Sequence, residues 1–374
     1  MRIHADESSL TRKLIMELLE KAALGNKTLQ NRIVMAPMTR SRANSEGVVG
    51  DLTKLYYTQR ANAGLIITEG INISRQAIGS PLTPGIYTQE QIEAWEKVTR
   101  SVHESGGLIY AQLWHTGRVG HSVERNGVLP VAPSAIAIKG QQHFTLQGMK
   151  DFETPHELTA DEISEIVLDY GQAARNAMAA GFDGVELHAA FGYLPNQFLA
   201  ESANVRTDAY GGSIENRNRF VVEVMQELVD ATGKDKVGIK LSPTNAYNNI
   251  ENSDPVAQFT PLIEVLNEMP LAYIHLMNAM FPLDQYPHYP KNVMETFGSI
   301  SKHPVIANGG YDRETGKAEL ANGIAEMVSY GALYLANPDL PRRFELNSEL
   351  NEPDRATMFA GGERGYIDYP FLQN

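Results

Sequence analysis

Cysteine is absent from the 374 residues. Disulfides, a thiolate nucleophile and any cysteine-ligated metal are therefore excluded. Basic side chains are the minority, 32 against 45 acidic, for a formal net charge of −13. Nucleic acid and anionic membrane surfaces demand a basic face, so neither is an expected partner. A phosphorylated small molecule needs only a few local donors and stays open. No apolar run reaches the roughly 18 residues of a membrane span. The stretch Met1–Lys21 mixes charges into its apolar residues and lacks a signal-peptide core, which predicts a cytoplasmic protein. Repeats of the solenoid kind and low-complexity segments are also missing.

The hydrophobic fraction of 43% and charged fraction of 21% are ordinary for a folded globular chain. What recurs is a strand-like run, a turn and a helix-like stretch. The strand candidates are Ile33–Met38, Leu65–Gly70, Leu108–His115, Gly184–Ala190, Val237–Pro243, Tyr273–Ala279, Val305–Gly310 and Ala325–Ala332. Several are unbroken apolar runs, as expected of parallel strands buried on both faces. Between them, Ile163, Ile166, Val167, Tyr170, Ala173, Ala174, Ala177 and Met178 form one helical stripe. Thr159 with Glu162 makes a capping box at its start, and Gly181 is placed to end it. Phe220, Val221, Val224, Met225 and Leu228 give a second stripe, and Gln89–Ser105 a third helix.

Eight strands alternating with helices predict a (β/α)8 TIM barrel. A doubly wound open sheet is the competitor, but no strand runs into a G-x-G-x-x-G turn. Thr116–Leu158, after the third strand, has no clear helix and exceeds ordinary loop length; such an excursion suits a lid over the barrel mouth. Average domain size would allow two or three domains. The strand count assigns residues 19–374 to one barrel domain and residues 1–18 to an N-terminal extension.

Active sites of this fold sit at the C-terminal strand ends. Those ends read Pro37-Met38-Thr39, Glu69-Gly70, Gln112 to His115, His188 to Tyr193, Lys240 to Pro243, Asn278, Asn308-Gly309-Gly310 and Gly331-Ala332. Paired carboxylates for glycosidase or two-metal chemistry are lacking, and no metal set is spaced for ligation. Uncharged hydrogen-bonding groups, one histidine, one lysine and glycines suit a planar, polar-edged cofactor with a phosphate tail. An aldolase-type barrel is a further option, since a strand lysine such as Lys240 can form a Schiff base.

From about Leu19 to Leu372 the chain resembles the old yellow enzyme family of FMN-dependent ene-reductases. The resemblance rests on NRIVMAPMTRSRA at Asn31–Ala43, AQLWHTGR at Ala111–Arg118 and GFDGVELHAAFGYLPNQFL at Gly181–Leu199. It continues through RTDAYGGSIENRNRF at Arg206–Phe220, ANGGYD at Ala307–Asp312, LANPDLP at Leu335–Pro341 and GYIDYP at Gly365–Pro370. It implies a non-covalent FMN reduced by NADPH or NADH, which then reduces a small α,β-unsaturated carbonyl or nitro compound in a ping-pong cycle. The protein would be a monomer or small homo-oligomer with no metal. Pro37, Met38, Thr39, Gly70, Gln112, His188, Lys240, Asn308, Gly309, Gly310, Gly331 and Ala332 would contact the flavin. Thr39 would donate to flavin O4, Gln112 would meet the N3–H and C2=O edge, and Gly70 would let the ring approach the backbone. The Asn308–Gly310 loop would cradle the phosphate.

By the same resemblance His188 polarises the substrate carbonyl and Tyr193 protonates the α-carbon, with Trp114, Phe191, Tyr193 and Phe359 walling the pocket. His115, Arg118 and the Glu215–Arg219 string are read as structural. Read alone, Thr39 is a cap threonine and His188 a core histidine; the motif reverses the first reading, and the H-x-x-x-G-Y spacing after a strand weakens the second.

Four positions depart from the family pattern. Phe191 stands where Asn or His is usual, so the second carbonyl donor is missing. Lys240 replaces an arginine, keeping the charge and losing the two-pronged contact. Ala332 replaces the arginine that grips the phosphate, and Phe359 a tyrosine. Two readings follow: an FMN enzyme with a more apolar pocket, or a relative with weakened or lost FMN binding that is a poor catalyst or a small-molecule binding protein. The retained Thr39, Gln112, His188, Tyr193 and Asn308–Gly310 favour the first.

Overall fold

The computed structural model describes residues 17–373, so all but the last two residues of the expected extension lie outside the described residues. Eight parallel strands form the centre: β1 (Ile33–Met35), β2 (Leu65–Asn72), β3 (Ile109–Trp114), β4 (Gly184–Ala189), β5 (Val237–Leu241), β6 (Tyr273–Met277), β7 (Val305–Asn308) and β8 (Met327–Tyr330). Each pairs with its neighbours in chain order, and β8 returns to β1 through Val328 opposite Ile33, closing the barrel. The (β/α)8 expectation is met strand for strand.

Boundaries differ for local reasons. Ala325–Ala332 shortens to β8 because Gly331 breaks the extended backbone (φ −92, ψ −87) and Ala332 begins a short helix. β2 runs past Gly70 to Asn72, because a register shift between Ile67 and Gly70 lets it stay paired with β3 as far as Trp114. Bulges of this kind re-aim side chains at barrel rims.

The strands are not uniformly apolar inside and out. Along β4, Val185, Leu187 and Ala189 face the main core with the surrounding helices. Period-two alternation then sends Glu186 and His188 the other way. Near the N-terminal strand ends the interior is apolar, with Val34, Ile67, Tyr110, Tyr273, Ile306 and Met327 packed beneath a hairpin of Ala22–Leu24 and Lys27–Leu29. The barrel is therefore sealed at that end and polar toward the other.

The helix Ala160–Ala179 starts on the capping box formed by Thr159 and Glu162. Gly181, at φ +83, follows its end. The Thr116–Leu158 excursion is more structured than expected. It holds a 3-10 turn at Ser122–Arg125, a two-stranded hairpin of Gln142–Thr145 with Gly148–Asp151, and two short paired strands at Val131–Ala132 and His156–Glu157. Arg118 is buried and ties it down, donating to the carbonyls of Ile136, Asn248 and Asn249 at 3.0–3.1 Å. Among the described residues no helix is long and apolar enough to cross a membrane.

Candidate active site

The C-terminal mouth of the barrel opens into a cleft of about 860 Å³. It brings together Pro37, Met38 and Thr39 after β1, Gly70 on β2, Gln112 and Trp114 on β3, and His188, Phe191 and Tyr193 at and beyond β4. Lys240 of β5, Gly331 and Ala332 beyond β8, and Phe359 near the C-terminus complete the set. Barrel closure thus brings Gly331 and Ala332 onto one wall with Pro37, and the C-terminal tail carries Phe359 to the same rim. Asn308, Gly309 and Gly310 do not line this cleft. Asn308 is buried and donates from Nδ2 to the Ser329 carbonyl at 3.2 Å. Gly309 and Gly310 take φ +105 and +78, backbone that side chains other than glycine resist.

The motifs have separable jobs. Arg40 is fully buried and donates to the carbonyls of Met358 at 3.1 Å and Gly365 at 2.8 Å, and to the Tyr56 hydroxyl at 2.8 Å. Arg42 donates to Thr357 O at 2.9 Å. The segment after Thr39 therefore clamps the C-terminal tail that carries Phe359 to the rim, where Phe359 is 63% exposed. In the Glu215–Arg219 string, Asn216 and Arg219 hold carbonyls of the preceding loop at Asp208, Gly211 and Ala209. Gly70 has a reason within the fold itself: a Cβ built there would lie 2.6 Å from the Trp114 indole, whose close approach the glycine permits.

Trp114, His188 and Tyr193 form an aromatic cluster. The Tyr193 ring stands edge-on to Trp114 at 5.0 Å and to His188 at 4.8 Å. Burial, with the Lys240 ammonium second, pushes the His188 imidazole well below its ordinary range, so it is neutral at pH 7. Its Nδ1 is buried without a partner. Burial raises the Tyr193 phenol to about 12 and keeps it protonated. Phe191 holds a left-handed backbone, φ +57, uncommon for a bulky residue. Its N–H donates to Ser242 Oγ at 3.0 Å and its carbonyl accepts from Asn248 Nδ2 at 2.8 Å. Phe191 therefore lends the cleft an apolar ring and no free donor.

Lys240 is buried, with Nζ 5.9 Å from the Phe191 ring centre. Burial lowers its ammonium to about 8, opposed by Glu186. Glu186, fully buried one layer below the cleft, had no place in the sequence reading. One carboxylate oxygen accepts from Gln112 Nε2 at 2.8 Å and the other meets His275 Nδ1 at 2.8 Å; His275 Nε2 lies 2.8 Å from Ser329 Oγ. The signal was a lone acid inside an apolar strand. The hairpin residues His143, Phe144 and Leu146, and Tyr247 beyond β5, also line the cleft and were missed. Only the hairpin's place within the long excursion hinted at them.

A uniform reading of this architecture comes from comparison. Residues 17–351 match the model of the NADH:flavin oxidoreductase / NADH oxidase family. The chain is 44% identical to 12-oxophytodienoate reductase 1 of Oryza sativa subsp. japonica, over 95% of this chain and 93% of that protein. Among solved structures, morphinone reductase in complex with tetrahydroNAD superposes with a TM-score of 0.90 at 44% identity, covering 96% of this chain and 98% of the other. The old yellow enzyme homologue from Zymomonas mobilis gives 0.91 at 38% identity, covering 95% and 99%. The chain belongs to the NADH:flavin oxidoreductase / NADH oxidase family, the family of the old yellow enzymes.

Proposed function

We propose that residues 19–374 act as one catalytic domain that binds FMN in the barrel mouth, takes reducing equivalents from NADH or NADPH, and reduces activated C=C bonds of unsaturated carbonyl or nitro compounds. The observation that carries this reading is the donor set of the cleft. Gln112 gives its N–H to Glu186, which leaves its carbonyl oxygen for a ligand. Lys240 and the Thr39 hydroxyl also line the cleft and make no hydrogen bond among the described residues. An acceptor, a cation and a hydroxyl around a cleft this size fit the polar edge of a flavin ring. FMN, when bound, supplies hydride chemistry between a nicotinamide and an electron-poor alkene.

The chain's own residues do the rest. Neutral His188 donates an N–H to the substrate carbonyl, where negative charge grows as the alkene is reduced. The protonated Tyr193 phenol gives its proton to the α-carbon. Trp114 and Phe191 wall the substrate. Gly331 and the Asn308–Gly310 loop, carried on adjacent strands, are assigned to the phosphate. The alternative of a binding protein is less favoured, because the polar groups that would meet flavin and substrate are kept inside the cleft. Incubation with reduced nicotinamide and 2-cyclohexenone tests the activity: cyclohexanone must form in step with nicotinamide oxidation, and no product would refute it.

Two expected results concern the departures from the family pattern. Ala332 offers no charge, on a protein of net charge −13. Ala332→Arg is expected to tighten FMN binding roughly 10- to 100-fold, the range of one charge-assisted hydrogen bond. Fluorescence titration of the apoprotein reads this, and an unchanged affinity would mean another group holds the phosphate. Lys240 titrates near 8 without ligand. An anionic ligand favours the ammonium, so FMN affinity should fall as pH rises through about 8. Lys240→Arg keeps its charge and should flatten that profile; an equally steep fall in the variant would remove Lys240 from the site.

A further inference from the structure

We propose that Glu186 is a positioning residue: it takes the amide N–H of Gln112 and so turns the acceptor end of that amide into the cleft, making the site select a ligand edge that carries an N–H donor. The assignment rests on the flavin reading above and adds a residue to it. Glu186 is fully buried on β4, opposite Gln112 on β3 in the strand register. Its two oxygens are both committed, one to Gln112 Nε2 and one to His275 Nδ1, each at 2.8 Å. A carboxylate only accepts, so residue 112 must present a donor to it. Of the groups of a glutamine amide, that leaves the carbonyl oxygen, with the second N–H beside it, for the cleft.

His275 makes the arrangement one-way. Burial lowers the His275 imidazole, so it is neutral. Its Nδ1–H donates to Glu186, and its Nε2 then accepts from the Ser329 hydroxyl at 2.8 Å, the shorter of that hydroxyl's two contacts, the other being the Ala307 carbonyl at 3.3 Å. Donors therefore run from β8 through β6 to the carboxylate on β4, and from β3 to the same carboxylate. A carboxylate with both oxygens held in this way cannot turn to release the amide without leaving a buried donor unpaired. Gln112 is further set by its own backbone, whose N–H donates to Thr68 Oγ1 at 3.1 Å beside the β2 bulge.

The test exchanges the two groups. Q112E alone places two carboxylates face to face and should weaken FMN binding to the apoprotein at least 100-fold, read by quenching of flavin fluorescence. In the double variant Q112E/E186Q, the amide now on β4 donates to the carboxylate now on β3 and accepts from His275, and position 112 again offers an acceptor to the cleft. FMN affinity should return to within about tenfold of wild type, with a thermal midpoint near wild type. A Q112E variant that binds FMN like wild type, or a folded double variant that recovers nothing, would overturn the positioning role. Wild-type apoprotein that binds no FMN would overturn the flavin reading itself, and this assignment with it.

Discussion

Tyr193→Phe is expected to slow the reoxidation of the reduced protein by an unsaturated carbonyl about 10²- to 10⁴-fold, the usual worth of one general acid, and to leave its reduction by nicotinamide within about twofold. The split follows from where the hydroxyl stands. It lines the cleft and makes no hydrogen bond among the described residues, while its ring is braced by Trp114 and His188. Removing the oxygen leaves that packing in place, so the loss is chemical. Because burial lifts the phenol to about 12, it stays protonated throughout the working range. The alkene half-reaction of the wild type should accordingly show no fall from tyrosine ionisation below about pH 11. Stopped-flow absorbance separates the two half-reactions. Equal effects on both, or no effect on either, would remove Tyr193 as the donor.

The second large effect is on His188. Removing one oxyanion donor typically costs about 10²- to 10³-fold in turnover. Here the loss from His188→Ala should reach the upper part of that range, since residue 191 offers no second donor beside it. The Phe191 side chain has no polar group to share the carbonyl, and its backbone N–H is already given to Ser242. Phe191→Asn should then return part of the activity in the His188→Ala background. The imidazole lies well below its ordinary range, so turnover of the wild type should not fall between pH 6 and 8 through protonation of His188. Steady-state rates of the two single variants and the double variant decide this. A His188→Ala enzyme within threefold of wild type would show that the carbonyl is held elsewhere.

The barrel was readable because parallel strands buried on both sides leave apolar runs between helical stripes. All eight were placed this way, and misjudged ends such as Gly331 fall where a strand breaks into a turn. The cleft was readable because barrel topology sends strand ends to one mouth, and thirteen of the named residues meet there. Glu186 escaped because a single acid in VELHA looks like noise until alternation is known to face it inward. Arg40 escaped because its partners, Met358 and Gly365, lie more than 300 residues away. Gly70 was noticed for its bareness, but only the packing shows that Trp114 needs the space. The Asn308–Gly310 loop, expected as a phosphate cradle from its glycines, lies outside the cleft lining, and the Asn308 amide is spent on the Ser329 carbonyl, a pairing that only the fold shows.

Phe191, Lys240 and Ala332 each remove a polar contact expected of the family, yet the groups that would hold the ring remain aimed into one cleft. The central claim is that this chain carries FMN. The visible spectrum of the freshly purified protein tests it most directly. The protein should be yellow with flavin bands and on denaturation release close to one FMN per chain, or take up that amount when FMN is added. A colourless protein that binds no added FMN would contradict it.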